Sequence, residues 1–202
     1  MRIGIEVKIK NRIIGHSYGW CFTLLDFSDL GSEASIRKAL SNLQKQNFIR
    51  RLTQGIYDYP EMHPILGILP PDLNEVAKTI AKKNGVQIQP SGALAANLLG
   101  FSTQVPGRII FLTEGLSRKV KIGNQEIIFK KTTKKMMSTA GTKGGLLIQA
   151  LKNVGKGHID QIVYAKIAKY LKDSNKNEIR KNMKSAPAWI RDIVYKILEI
   201  KT

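Results

Sequence analysis

Polar and basic side chains recur along the segment from Ser32 to Lys45, at the spacing of an α-helix. Ile36, Leu40 and Leu43 occupy the i, i+4 and i+7 positions that form one apolar face. At about 100° per residue, the remaining surface carries the side chains with polar chemistry, which are Ser32, Ser35, Arg37, Lys38, Ser41, Asn42 and Lys45. In a major groove, Arg and Lys can donate to guanine, and Asn can pair with adenine. The pattern therefore predicts a helix that contacts duplex DNA.

Two short β-prone runs follow this helix, over residues 49–52 and 56–59. A loop that contains Gly55 joins them, and a loop of this length between such runs predicts a β-hairpin. Arg50 and Arg51 are consecutive, so only one of them can face solvent fully, because side chains alternate along a strand. We expect Arg50, Arg51 and Gln54 to supply the DNA contacts of the hairpin, with either arginine able to contact phosphate.

The residues upstream predict the elements that position this helix. Leu24 to Leu30 has a short helical pattern that Gly31 ends, so a short helix, a turn and a longer helix follow one another as in a helix-turn-helix. The hairpin then takes the place of a wing. Tyr18 to Thr23 is β-prone and predicts a strand that pairs with the wing, and Thr23 is placed to cap the short helix.

Residues 3–14 fit two structures. Ile3, Ile5, Val7 and Ile9 alternate with polar residues, which by itself favours a strand over residues 3–9. Ile5, Ile9 and Ile13 also share one face of a helix. A winged helix needs its first helix here, so we predict a helix.

Short strings of residues stand in a fixed order between about residues 10 and 135. The first group consists of Gly19-Trp20-Cys21-Phe22-Thr23, Asp26-Phe27, Asp29-Leu30-Gly31, Ile49-Arg50-Arg51-Leu52, Gly55-Ile56-Tyr57-Asp58-Tyr59-Pro60 and His63-Pro64. This group resembles the winged-helix domain of AbiEi-type antitoxins, from bacterial type IV toxin–antitoxin systems. The second group consists of Gln89-Pro90-Ser91-Gly92-Ala93, Ala96-Asn97 and Leu99-Gly100-Phe101-Ser102-Thr103-Gln104-Val105-Pro106. It is similar to the second domain of the same proteins.

The resemblance implies a transcriptional autorepressor that is also an antitoxin. In that family, the first domain binds operator DNA and represses its own operon, and we expect the operator to be an inverted repeat bound by a homodimer. The second domain counters a nucleotidyltransferase-like toxin, typically without forming a stable complex with it. An alternative is a winged-helix regulator or nucleic-acid-binding module with no toxin partner.

The predicted fold class is α+β, with a winged helix-turn-helix over residues 1–61, a mixed α/β antitoxin-like domain over 62–135 and a basic helical extension over 136–202. The prolines of residues 60–71 predict an ordered connector. The later predicted helices span residues 73–83, 92–99, 146–154, 159–171 and 189–200. Strands are predicted over 86–89 and 108–113, and a hairpin over 119–129, in a mostly antiparallel sheet. One predicted loop ends in residues 105–106, and a second spans 138–145.

The charge balance points to a polyanionic partner. The chain has 202 residues and a net charge of +18, of which residues 130–202 contribute +12 from 17 Lys or Arg and 5 Asp or Glu. Nucleic acid and an anionic membrane surface are the candidates. No apolar run approaches the roughly 20 residues of a spanning helix, and the first residues lack the apolar core of a signal peptide. We expect a cytoplasmic protein with no membrane partner.

No residue set in the sequence supports catalysis or metal binding. Cys21 is the one cysteine, and a small buried residue is its simplest role. His16, His63 and His158 lie far apart in the sequence. Residues 141–145, Gly-Thr-Lys-Gly-Gly, lack the phosphate-loop pattern and its preceding strand, so they predict a flexible basic loop. We expect no enzyme activity, no cofactor and no metal.

Overall fold

A computed structural model describes residues 4–104 and 106–199 of the chain. Its helices and sheets are consistent with the α+β class. The described residues divide into two compact units, one of residues 4–85 with 120–126 and one of residues 86–119 with 127–199. Residues 62–85 thus lie in the first unit, whereas the predicted domains divide the chain after residue 61. Three residues of predicted elements lie outside the described residues. They are Ile3 of the predicted first strand, Val105 of the predicted loop and Ile200 of the predicted last helix.

Residues 4–85 contain three α-helices, a 3-10 helix and five short strands. They are α1 (Ile5–Ile14), β1 (Cys21–Phe22), the 3-10 helix Leu24–Phe27, α2 (Glu33–Lys45), β2 (Arg50–Thr53), β3 (Ile56–Asp58), β4 (Met62–His63), β5 (Gly67–Ile68) and α3 (Leu73–Lys83). One antiparallel sheet has the order β1-β3-β2, and β4 pairs with β5 in a separate antiparallel hairpin. The predicted pairing of residues 18–23 with the hairpin is confirmed for the two residues of β1. β4 and β5 lie within residues 60–71, for which the sequence predicts only an ordered connector.

Residues 5–14 form a helix, so the strand that alternation favours is wrong and the predicted helix is confirmed. Ile9 and Ile13 are fully buried, while Val7 is half exposed. Their four-residue spacing places both on one helical face, which packs with Ile36, Leu40 and Leu43 of α2 in a common core. Burial of that face decides between two patterns that coincide over so short a segment.

The short element before α2 is a 3-10 helix whose start is fixed by a reciprocal cap. The Thr23 hydroxyl accepts from the Leu25 amide at 3.2 Å, and the Asp26 carboxylate accepts from the Thr23 amide at 2.8 Å. Thr23 therefore caps this helix as predicted. The helical segment ends at Phe27 rather than Leu30, and Phe27 is fully buried in the core of the unit.

Residues 86–199 form a sheet and a group of helices. The elements are β6 (Ile88–Pro90), α4 (Gly92–Leu98), β7 (Ile109–Thr113), β8 (Arg118–Ile122), β9 (Gln125–Lys131), α5 (Lys134–Met137), α6 (Lys143–Val154), the 3-10 helix Lys156–His158, α7 (Gln161–Tyr170), α8 (Lys176–Met183) and α9 (Ala188–Glu199). The strand order is β6-β7-β9-β8. β6 and β7 are antiparallel, and β7 and β9 are parallel. The two-residue turn between the neighbouring strands β8 and β9 makes that pair antiparallel, so the sheet is mixed with mostly antiparallel pairs, as predicted.

The helices α6 to α9 enclose the largest core of the second unit, which includes Leu147, Ile167, Met183, Ile190 and Val194. The predicted helices over 159–171 and 189–200 correspond to α7 and α9, whereas neither α5 nor α8 is predicted from the sequence. α6 begins at Lys143, so the last three residues of the predicted loop over 138–145 are helical. Within the described residues, no helix combines the length and apolar character needed to cross a bilayer.

Candidate nucleic-acid interface

Helix α2 buries one face and leaves the opposite face to solvent. Ile36, Ala39, Leu40 and Leu43 are at most 2% exposed. Because each residue advances by about 100°, Lys38, Ser41 and Lys45 point away from that buried face, and all three are exposed. Neither lysine has a hydrogen-bond or ion-pair partner among the described residues. These cations are therefore available to a ligand.

The first turn of α2 is held by its own polar residues. The Ser32 hydroxyl caps the helix by accepting from the Ser35 amide at 3.3 Å, and the two serine hydroxyls lie 2.8 Å apart. Arg37 donates to Glu33 one turn earlier on the exposed surface. An exposed pair of this kind is easily exchanged, since it contributes about 0.3–0.5 kcal/mol. Arg37 can thus leave Glu33 for a stronger anion.

Asn42 lies on the side of α2 that faces α1. Its amide nitrogen donates to Glu6 at 2.9 Å, and Gln46 donates to the other carboxylate oxygen of Glu6 at 3.1 Å. Asn42 is only partly exposed as a result. The amide that the sequence suggests for adenine recognition is already bonded inside the unit.

The two consecutive arginines of β2 have opposite environments. Arg50 donates to both carboxylate oxygens of Asp58, at 3.1 and 2.5 Å, and to the Leu69 carbonyl at 3.1 Å. The Asp58 side chain is 1% exposed, so Arg50 is the counter-ion of a buried carboxylate. Arg51 is exposed and has no hydrogen-bond or ion-pair partner in the described part of the chain. The hairpin therefore offers an exposed, unpaired Arg51 to a ligand, whereas the guanidinium of Arg50 is held by Asp58.

The turn between β2 and β3 is in contact with the end of α3. Gln54 is exposed, and its backbone carbonyl accepts from the Lys83 ammonium at 2.8 Å. Gly55 has φ +69°, a left-handed conformation that favours glycine. Sequence reasoning missed Lys83, because a position 29 residues from Gln54 gives no local signal of this contact.

A cleft of about 600 Å³ lies between the 3-10 helix, the first turns of α2 and the β2–β3 turn. Its charged lining residues are Glu33, Arg37, Arg51 and Lys83. Apolar surface comes from Leu24, Leu25, Ile36 and Tyr57, and the remaining lining residues are Thr23, Ser28, Gly31, Gln54 and Gly55. Three cations against one carboxylate make the cleft electropositive.

Two ion pairs fix the elements around the cleft. Lys82 of α3 donates to Asp26 at 2.7 Å. Burial raises the pKa of Asp26, but the bonds from Lys82 and Thr23 outweigh it and hold the pKa below its usual value. Arg12 of α1 donates to both oxygens of Asp29, in the turn before α2, and this bond lowers the pKa of Asp29 to about 2.

The remaining chemically active side chains do not form a site. His16 stacks on Trp20 with ring centroids 3.7 Å apart. Cys21 is buried as expected, and burial, followed by the charge of Asp58, raises the pKa of its thiol to about 12. No three His, Cys, Asp or Glu side chains of residues 4–104 and 106–199 come together as metal ligands.

The second-domain string of the resemblance is held by short-range hydrogen bonds. Asn97 donates to the Gln104 carbonyl at 3.1 Å, and the Gln104 amide donates to the Ser102 hydroxyl at 3.2 Å. Ser91 precedes α4 but makes no side-chain cap there.

Gly144 and Gly145 lie in the first turn of α6 and are buried against α8 and the Thr139 carbonyl.

Three comparisons relate the chain to known proteins. No curated protein matches it. A solved structure, that of the RV2827C protein from Mycobacterium tuberculosis, aligns with 98% of this chain and 78% of its own, at 12% identity and a TM-score of 0.41. The model described as "Family of unknown function (DUF6088)" matches residues 8–179. The chain therefore belongs to the DUF6088 family.

Proposed function

We propose that the first unit is a winged helix-turn-helix that binds duplex DNA, with α2 as the recognition helix and β2–β3 as the wing. The observation that carries the proposal is the solvent-facing set of Lys38, Ser41 and Lys45 beside the exposed Arg51. A helix of this kind fits the major groove, where its polar side chains reach base edges. Arg51 on the wing then contacts phosphate, whose affinity for cations dominates DNA binding.

The short elements around α2 suit this role because hydrogen bonds and an ion pair hold them in place. The 3-10 helix carries a reciprocal cap, and Arg12 ties the turn before α2 to α1. A recognition helix must be held in a fixed orientation if its side chains are to reach particular bases. Binding by two copies related by a twofold axis gives an operator that is an inverted repeat.

The experiment is titration of a labelled DNA fragment from upstream of the protein's own gene, with random-sequence duplex as competitor. Lys38→Met with Lys45→Met removes two cations of the proposed face. We expect weaker binding and a smaller preference for the upstream fragment over random-sequence duplex, because these lysines reach base edges in the proposed complex. Lys78→Met with Lys156→Met is the matched control, because it removes the same charge from exposed positions elsewhere.

Two results would count against DNA binding at this face. One is the absence of binding by the wild-type chain, on both the upstream fragment and the random duplex. The other is an equal loss in the two double variants, which would show that only the net charge matters. Nuclease footprints on the upstream fragment then distinguish operator recognition from general affinity for DNA.

The second part of the proposal is that the chain is the antitoxin of a nucleotidyltransferase-like toxin. Its support is the string from Gln89 to Pro106, which is similar to the second domain of AbiEi-type antitoxins. Co-expression of the full chain with the product of a neighbouring nucleotidyltransferase-like gene tests it, and we expect growth to be restored. The Lys38→Met, Lys45→Met variant should restore growth equally, because antitoxicity does not use the DNA-binding face.

A regulator with no toxin partner is the alternative. It is supported if the chain binds its upstream DNA but neither the chain nor its double variant changes growth in the presence of that gene product. The absence of a nucleotidyltransferase-like gene next to this one supports the same alternative. Whether or not the chain is an antitoxin, the DNA titration tests DNA binding independently.

A further inference from the structure

The last turn of α3 places two consecutive lysines against two different elements of the first unit. Lys82 lies 2.7 Å from the Asp26 carboxylate of the 3-10 helix. Lys83 lies 2.8 Å from the Gln54 carbonyl in the β2–β3 turn, so close that a Cβ on Gly55 would be only 2.6 Å from its ammonium. Helix α3 thus reaches the wing turn from outside the predicted helix-turn-helix.

The two lysines differ in what neutralises them. The charge of Lys82 is balanced by a carboxylate. Lys83 has only a neutral carbonyl as its partner, and no carboxylate of the described residues pairs with it. A Lys ammonium has three donors, so Lys83 can keep the Gln54 carbonyl and still bind an anion. Its charge is available on the side where it lines the cleft.

The cleft has the mixed lining that a sugar–phosphate chain requires. Arg37, Arg51 and Lys83 supply cations for a phosphate, and charge-assisted bonds to phosphate are the strongest hydrogen bonds available to them. Leu24 and Leu25 supply apolar surface for deoxyribose. The amino-terminal turn of the 13-residue α2 adds the positive end of its dipole. A volume of about 600 Å³ accommodates such a segment.

We propose that this cleft holds one segment of the DNA sugar–phosphate backbone, and that Lys83, from the helix after the wing, is one of its phosphate ligands. The inference rests on the proposed DNA-binding function and extends it, because it adds α3 to the contact surface. Arg37 contributes by exchanging Glu33 for the phosphate, and Arg51 contributes directly. Lys82 remains on Asp26 and positions α3.

The test uses the full chain and a fluorescein-labelled random-sequence duplex, since phosphate contacts do not depend on the operator. Affinity is measured from about 50 to 200 mM salt, a range over which phosphate contacts change binding strongly. Lys83→Met should reduce the salt slope by about 0.9, the loss of one contact. Lys83→Arg should keep the wild-type slope. Lys78→Met is the control, because Lys78 lies on the same helix, pairs with Glu75 and does not line the cleft.

The outcomes separate this inference from the proposed function. Failure of the wild-type chain to bind the duplex overturns both. Normal binding with equal slopes for Lys83→Met and Lys78→Met overturns only the role of Lys83. A weaker affinity for Lys83→Met at an unchanged slope also overturns it, because that result means Lys83 only holds the wing turn. Equal thermal unfolding midpoints of the variants establish that each is folded.

Discussion

Arg12 of α1 donates to both carboxylate oxygens of Asp29, each at 2.6 Å, and also to the Asp26 carbonyl at 2.8 Å. One guanidinium thus joins the first helix to both sides of the turn before α2. The five donors of a guanidinium form a rigid fork, so this arrangement fixes direction as well as distance. The orientation of α2, on which the proposed DNA contacts depend, is set in part by this residue.

The Asp29 carboxylate should make stability depend on pH in acid. Its pKa is about 2 in the folded chain against an ordinary 3.8, because Arg12 bonds the charged form. A pKa lowered by folding stabilises the folded state above the unfolded pKa, and this contribution is lost as pH falls to the folded pKa. Asp29→Asn should therefore be less stable than wild type at pH 6, and the difference should shrink from about pH 4 to pH 2.

Urea unfolding of wild type and Asp29→Asn across this pH range measures the effect. Arg12→Met is the companion variant, because it removes the bond and keeps the carboxylate. It should lose at least as much stability at pH 6, because it also removes the bond to the Asp26 carbonyl, and it should depend less on acid than wild type. A difference between wild type and Asp29→Asn that stays constant down to pH 2 contradicts the assignment.

Replacement of Arg50 should lower the stability of the fold, whereas replacement of Arg51 should lower the affinity for DNA. Arg50→Met leaves the buried Asp58 carboxylate without its counter-ion, and breaking a buried pair in this way costs about 3 kcal/mol. Arg51→Met removes an exposed cation, so its free energy of unfolding should change by less than about 0.5 kcal/mol. Its affinity for duplex DNA should fall, with a salt slope lower by about one.

Denaturant unfolding and DNA titration on both variants make the comparison. The double variant Arg50→Met, Asp58→Leu should recover much of the stability lost in Arg50→Met, since an apolar replacement of a buried pair is often neutral. If Arg51→Met is the destabilised variant, Arg51 and not Arg50 is the counter-ion of Asp58.

The sequence predicts α2 and the β2–β3 hairpin well because their signals are local. Apolar spacing alone identifies the buried face of α2, and the loop with Gly55 identifies the turn. No local signal shows which of Arg50 and Arg51 faces solvent, although Asp58 indicates that one of them has a buried partner. Asp58 is a carboxylate in an apolar strand, and the sheet register places it opposite Arg50.

Other features depend on contacts that no short window contains. Alternation and helical spacing coincide over residues 5–14, and only packing against α2 selects the helix. Asn42 is exposed by helical geometry, yet it bonds to Glu6, which lies 36 residues away. Gly144 and Gly145 read as a loop because glycine is a poor helix former, whereas in the fold they allow close packing.

Gly145 should be intolerant of alanine although it lies in a helix. Gly→Ala in a helix normally stabilises by about 1 kcal/mol. Here a Cβ would overlap the Thr139 carbonyl oxygen and lie 2.7 Å from the carbonyl carbon, which is backbone and cannot rotate away. We expect a net loss of at least about 2 kcal/mol, as for other overpacked sites.

Thermal unfolding of Gly145→Ala measures this loss. Gly157→Ala is the control, because nothing lies within 4 Å of a Cβ at that position and its φ is not left-handed. The control should match wild type. A Gly145→Ala variant as stable as wild type means that the loop before α6 can move away from the helix.

Asn42 and Lys38 should separate stability from DNA binding on one helix. Asn42→Ala removes the hydrogen bond to Glu6, and a bond to a charged acceptor contributes about 1.5–3 kcal/mol at most. Glu6 keeps Gln46 as a donor, so we expect a loss near the lower value and no change in DNA affinity.

Lys38→Ala should leave stability unchanged and weaken binding to duplex DNA, because the lysine is exposed and has no partner inside the unit. Chemical unfolding gives the stability of each variant, and fluorescence anisotropy gives the affinity of each for duplex DNA. Reduced DNA affinity of Asn42→Ala under conditions where the variant is fully folded would mean that Asn42 leaves Glu6 to reach the groove.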